Sequence, residues 1–84
     1  MRTATIRTEV PDPALVAGAV EPDNTTEMTT RVDDGAVVTT IERETTGGLR
    51  TTVDDYVVNL TVAQEVVQAA QRHADTQTEH ESET

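Results

Sequence analysis

The sequence predicts a small α+β domain of order β-α-β-β-α: a three-stranded antiparallel sheet with two helices on one face, assembled as a homodimer. Three observations predict it. Short stretches alternate apolar and polar residues at period two around an Asp33-Asp34-Gly35 turn. Residues 49–72 keep apolar side chains at helical spacing instead. The chain has 84 residues, one Tyr and no Phe or Trp, so its aliphatic core is mostly Val and Ala. A domain that short buries only about 60% of its unfolded surface. With no Cys for a disulfide or thiolate metal site, a second subunit is the expected source of extra burial.

The elements follow in order. Residues 3–8 alternate, with Ala4, Ile6 and Thr8 on one side and Thr3, Thr5 and Arg7 on the other, which is a half-buried strand. Val10-Pro11-Asp12-Pro13 interrupts it, and Asp12 before Pro13 is an N-cap signature. A short helix over 13–20 presents Leu15, Val16, Ala19 and Val20, until Pro22-Asp23-Asn24 stops it. Residues 26–32 alternate again with Met28, Thr30 and Val32 inward. After the Asp33-Asp34-Gly35 hairpin, residues 36–44 return as a third strand with Val37, Thr39 and Ile41 on one face. Such a sheet leaves its outer face wet and at least one edge unpaired. Thr45-Thr46-Gly47-Gly48 breaks the chain before the long helix. Residues 1–73 make the domain, and 74–84, which lack apolar periodicity, read as a disordered acidic tail.

The long helix raises the functional question. At about 100° per residue, Leu49, Val53, Tyr56, Leu60, Ala63, Val67 and Ala70 fall in one stripe that can seat the helix on the sheet. Val58, Val62, Val66 and Ala69 form a second stripe on an adjacent side. Arg50, Asp54, Thr61, Glu65, Gln68 and Arg72 leave only a narrow polar strip, with Arg50 and Asp54 spaced to pair across one turn. Valine is a mediocre helix former, so the second stripe serves something outside the helix. The short helix spans only about 12 Å against about 36 Å for the long one, at 1.5 Å per residue. It can shelter part of that stripe, and a protein partner is expected on the rest: Val58, Val62, Val66 and Ala69.

Charge narrows the partners. The net charge is −10, and all six basic residues are Arg with no Lys. Autonomous binding to nucleic acid or an anionic membrane needs clustered cations, which this chain lacks. No apolar run approaches the roughly 20 residues of a membrane span. MRTATIRTEV carries no signal-type segment, so a cytoplasmic location is expected. An acidic, lysine-free, Thr- and Val-rich chain also resembles proteins of extreme halophiles. Its carboxylates keep the surface hydrated in molar salt, where a Debye length of about 3 Å screens their mutual repulsion.

Two stretches carry a family resemblance. Ala19-Val20-Glu21-Pro22-Asp23-Asn24, followed at a distance by Gly48-Leu49-Arg50-Thr51-Thr52-Val53-Asp54-Asp55-Tyr56, resembles the CTAG/Pcc family, the small dimerising subunits of the KEOPS complex. The matching motif positions are Pro22, Asp23, Asn24, Leu49, Arg50, Asp54 and Tyr56, and the likeness covers about residues 3–72. Gly48 stands where the family usually has Ser, Thr51 where it has Ala, and Asp54 where it has Asn. The resemblance implies a non-catalytic scaffold: a homodimer that docks the catalytic, metal-dependent subunit of KEOPS. That complex threonylcarbamoylates the tRNA adenosine next to the anticodon. tRNA is then met only through the assembled complex, and no cofactor, metal or small-molecule substrate is expected.

Other constellations are weaker. Asp54-Asp55 point about 100° apart on a helix and Asp33-Asp34 sit in a turn, so neither suits a catalytic carboxylate pair. His73 and His80 lie among tail carboxylates with no preformed metal site. Gly47-Gly48 before a helix suits capping better than anion binding, because no Lys stands near. The alternative to the scaffold is a free-standing dimeric α+β regulatory domain that binds a small ligand. It predicts a polar-lined cavity.

Overall fold

The computed structural model describes residues 1–73 with their side chains, and the helical backbone of the last element as far as Glu83. The tail expected over 74–84 lies outside the fully described residues. Strand β1 (Arg2–Glu9) leads to helix α1 (Pro13–Val20) and a single 3-10 turn (Glu21–Asp23). Then come β2 (Met28–Asp33), β3 (Ala36–Arg43) and the long helix α2 (Thr46–Glu83). The sheet is antiparallel in the order β1-β3-β2, so both hairpin-linked and first strands flank β3 and leave an unpaired outer edge. This is the expected α+β architecture.

The β2–β3 turn shows why the register is fixed. Asp34 and Gly35 both have positive φ, 47° and 77°, as a two-residue hairpin with the twist of its strands requires. Asp33 therefore faces Ala36, Val32 faces Val37, Thr30 faces Thr39 and Met28 faces Ile41. On the other side Thr8, Ile6 and Ala4 face Val37, Thr39 and Ile41. The odd-numbered residues of β3 thus share one face with Ala4, Ile6, Met28 and Thr30. Both helices cover that face: Val16, Ala17 and Val20 of α1 and Tyr56, Leu60 and Ala63 of α2 join Val37 and Ile41 in one core.

The outer face is polar but not uniformly wet. Ala36 and Val38 are buried there. Arg7 and Arg31 stand directly beside Val38 on the two neighbouring strands, and both ion-pair with Asp33, at 3.6 and 3.5 Å. Their apolar stems flank the valine while the guanidinium groups stay in water.

Several local expectations need correction. Asp12 occupies the N-cap position of α1, but its side chain makes no capping bond. Its carboxylate instead accepts from Gln71 Nε2 at 3.1 Å, tying α1 to α2. Thr45–Gly48 is not a break: α2 starts at Thr46, and Gly48 N–H donates to Thr45 Oγ1 at 3.0 Å. Thr45 is the cap, three residues before the donor it satisfies. Leu15 and Val32, expected inward, are about half exposed, because each sits at the margin of the short helix and edge strand. Ala70 is exposed as well.

Candidate functional site

The core side of α2 behaves as its first stripe requires. Tyr56, Leu60 and Ala63 are buried, and Leu49, Val53 and Val67 pack partly against the core. The second stripe meets nothing. Val58, Val62 and Val66 are 62%, 52% and 58% exposed, and Ala69 is exposed beside them. Helix α1 lies on another flank of α2: Asp12 bonds Gln71, and Val16 shares a cleft with Gln64, Val67 and Gln68. At about 100° per residue, Gln64, Val67, Gln68 and Gln71 sit on the far side of the helix from Val58 and Val62. The short helix therefore shelters none of the stripe, where sequence spacing allowed it a part.

A line of three valines on a solvated helix is an energetic liability unless covered. Full burial of a valine contributes about 1.5–3 kcal/mol, and roughly half of each remains to be gained. Charged neighbours frame the line. Asp54, Asp55, Glu65, Arg72 and His73 are all exposed, and none of them is in an ion pair among the described residues. Arg50 and Asp54, spaced to pair, do not do so.

The motif residues divide into two groups. Pro22 and Asp23 are exposed in the 3-10 turn, and Arg50 and Asp54 are exposed on α2. Leu49 packs against the core. Asn24 and Tyr56 are the ends of one hydrogen-bond chain. Asn24 Nδ2 donates to Thr30 Oγ1 at 2.6 Å, Thr30 and Thr39 hydroxyls lie 2.9 Å apart, and Thr39 Oγ1 donates to Tyr56 Oη at 2.6 Å. Thr39 and Tyr56 are fully buried. Burial pushes the Tyr56 phenol up from its ordinary value, and the Thr39 hydroxyl opposes that shift. This chain links the turn after α1, both hairpin strands and α2, so these two motif residues hold the fold rather than present a reactive group.

No protein-family model and no curated protein matches this sequence.

Two hollows compete with the helix face. One of about 280 Å³ lies between α2 and the β1–α1 connection, lined by Glu9, Asp12, Gln64, Gln68 and Gln71 together with apolar Val16 and Val67. A larger open one, about 460 Å³, is lined by Met1, Glu27, Glu42, Arg43, Glu44 and Thr45. Thr25 donates to the Glu27 carboxylate there, which holds its pKa below the usual value. Arg43 is already engaged, donating to Thr52 Oγ1 at 2.6 Å. Among the described residues no three potential metal ligands come together, and no helix is long and apolar enough to cross a membrane.

The alternation places Thr30 and Thr39 inward without linking them to Asn24 or Tyr56, and it gives Arg43 no role. The two-residue turn at Asp34-Gly35 already placed Thr30 opposite Thr39, and that register was the available signal. Nothing in the sequence announced the Arg43–Thr52 contact.

Proposed function

We propose that this chain is a non-catalytic scaffold subunit of a KEOPS-type complex, of a halophilic archaeal kind, working in the cytoplasm. The observation that carries the proposal is the exposed line Val58, Val62 and Val66 on α2, which the domain leaves uncovered. The β-α-β-β-α order and the joining of Asn24 to the buried Tyr56 through one hydrogen-bond chain support the resemblance that names the complex. In this reading the subunit performs no chemistry. It works by helix docking: it dimerises and holds the catalytic, metal-dependent subunit, so that two copies of the machinery act together on tRNA. The net charge of −10 supports tRNA contact through the assembled complex and not through this subunit alone.

The test is co-purification of the tagged chain in molar salt. A KEOPS catalytic subunit identified by mass spectrometry in the native eluate, and lost with Val62→Asp, is the expected result. An unchanged association of that variant removes α2 from the contact. A second reading, a free-standing dimeric regulator, is favoured by the glutamine-lined cleft of about 280 Å³. It predicts a dimer that purifies with no protein partner and a thermal shift with a small polar ligand.

A further inference from the structure

We propose that the β2–β3 turn is a site of spontaneous covalent modification, at which Asp34 isomerises to isoaspartate through a cyclic imide with Gly35. The inference is independent of the scaffold reading. Asp34-Gly35 is the only step in the chain at which an Asp or Asn precedes Gly. Glycine has no Cβ, so its amide nitrogen can close on the carboxyl carbon of the residue before it. The neighbouring aspartate shows what the fold adds. The Asp33 carboxylate is held by Arg7 at 3.6 Å and by Arg31 at 3.5 Å, and Asp33 is followed by a residue with a side chain. Asp34 is exposed, and its carboxylate has no ion pair among the described residues. No backbone partner holds the Gly35 N–H among them either, and a Cβ built at Gly35 would meet nothing within 4 Å. Nucleophile and electrophile are therefore both free and adjacent.

The step needs no oxidant, metal or cofactor. The Gly35 nitrogen attacks Asp34 Cγ, a nitrogen–carbon bond forms, and the carboxyl hydroxyl leaves with the amide proton as water. Water then opens the ring at the main-chain carbonyl carbon of Asp34. The chain now runs through Cβ and Cγ of Asp34, and its former main-chain carbonyl is a free carboxylate, so the net charge does not change. Isomerisation releases Asp34 from a left-handed conformation, φ 47°, that penalises any residue with a side chain. It also lengthens by one carbon a loop whose two-residue length fixes the strand register. The turn is tied to β1 at that point: Asp34 O accepts from Arg7 Nη2 at 3.3 Å and Gly35 O accepts from Val10 N at 3.4 Å. Strand β2 pairs only with β3, so the longer turn loosens it and the facing of Thr30 and Thr39.

Trypsin supplies an internal control, because the peptide spanning 32–43 carries Asp33 and Asp34 and no other aspartate. The full native chain and its Asp34→Asn variant are aged side by side in warm, neutral, molar salt. Chromatography with mass spectrometry then locates isoaspartate within the peptide. The variant closes the same ring by losing ammonia, a better leaving group than hydroxide, and so serves as the clock. Isoaspartate at 34 in the unmodified chain, several-fold above any at 33, is the expected result, with faster conversion in the variant. The separated isomer should unfold at a lower Tm than the unaged chain. An unmodified chain with Asp34 intact after the variant has fully converted overturns the proposal. So does isoaspartate shared equally between 33 and 34, or a variant that never converts in its native state.

Discussion

Replacing Tyr56 by Phe removes one oxygen from the core and tests the polar chain that ties the fold together. The Asn24 amide can only donate to Thr30, which turns the Thr30 hydroxyl toward Thr39 and the Thr39 hydroxyl toward Tyr56. Phenylalanine keeps the ring packing and leaves the fully buried Thr39 hydroxyl without its acceptor. An unsatisfied buried donor costs about 1–3 kcal/mol. Partial reorientation within the chain places the expectation near 1–2 kcal/mol. For a domain of this size each kcal/mol moves Tm by about 4–8 °C. Thermal unfolding in molar salt, followed by far-UV circular dichroism, measures it. Thr39→Val is expected to destabilise as well. Combining it with Tyr56→Phe should cost less than the sum, because removing both partners leaves no orphan between them, with a coupling of about 1 kcal/mol. Strictly additive effects, or an unchanged Tm for Tyr56→Phe, would refute the hydrogen-bond argument.

Further outcomes follow from the same geometry. Burial raises the Tyr56 pKa above its unfolded value of about 10, so its stabilising contribution is complete below pH 10. It should be lost as pH rises through the folded value. The chain has no Lys and no other Tyr, so the native protein should lose stability above pH 10 and Tyr56→Phe should lose less, with tyrosinate absorbance as the check. Gly47→Ala meets nothing within 4 Å and should stabilise by about 0.5–1 kcal/mol through helix propensity. Gly48→Ala should give no such gain, since its Cβ would lie 2.9 Å from Thr45 Oγ1 and 3.1 Å from Arg43 Nη2. Thr45→Ala removes the cap on Gly48 N–H and should cost about 1 kcal/mol. Urea midpoints of the three variants give the comparison.

How much of this was legible beforehand depended on whether a signal was local. The hairpin was legible because Asp34-Gly35 permits positive φ at both turn positions, and that single turn fixes which residues of β3 face the helices. The two stripes of α2 were legible from helical periodicity, and the structure places Val58, Val62 and Val66 outside the core as that pattern requires. Long-range contacts were not. Asp12 has the sequence position of a cap, but its carboxylate is taken by Gln71, fifty-nine residues away. Gly47 and Gly48 have poor helix propensity and read as a break. Thr45 capping and the close approach of Arg43 at Gly48 draw them into the first turn of α2 instead. Leu15 and Val32 have inward-facing periodicity, yet a two-turn helix over an edge strand is too small to cover them.

The central claim is that α2 carries more apolar surface than its own domain covers, and that association covers it. The half-exposed valines of two copies contribute only about 6 kcal/mol together, against an association cost of about 4–15 kcal/mol, so a single charge on the line should be decisive. Val62 is 52% exposed, so Val62→Asp leaves the core untouched. The most direct measurement is the molar mass of the native chain and of Val62→Asp by light scattering in molar salt, at equal concentration. The account predicts a dimer for the first, a monomer for the second, and the same helical signal for both. Equal masses would contradict it.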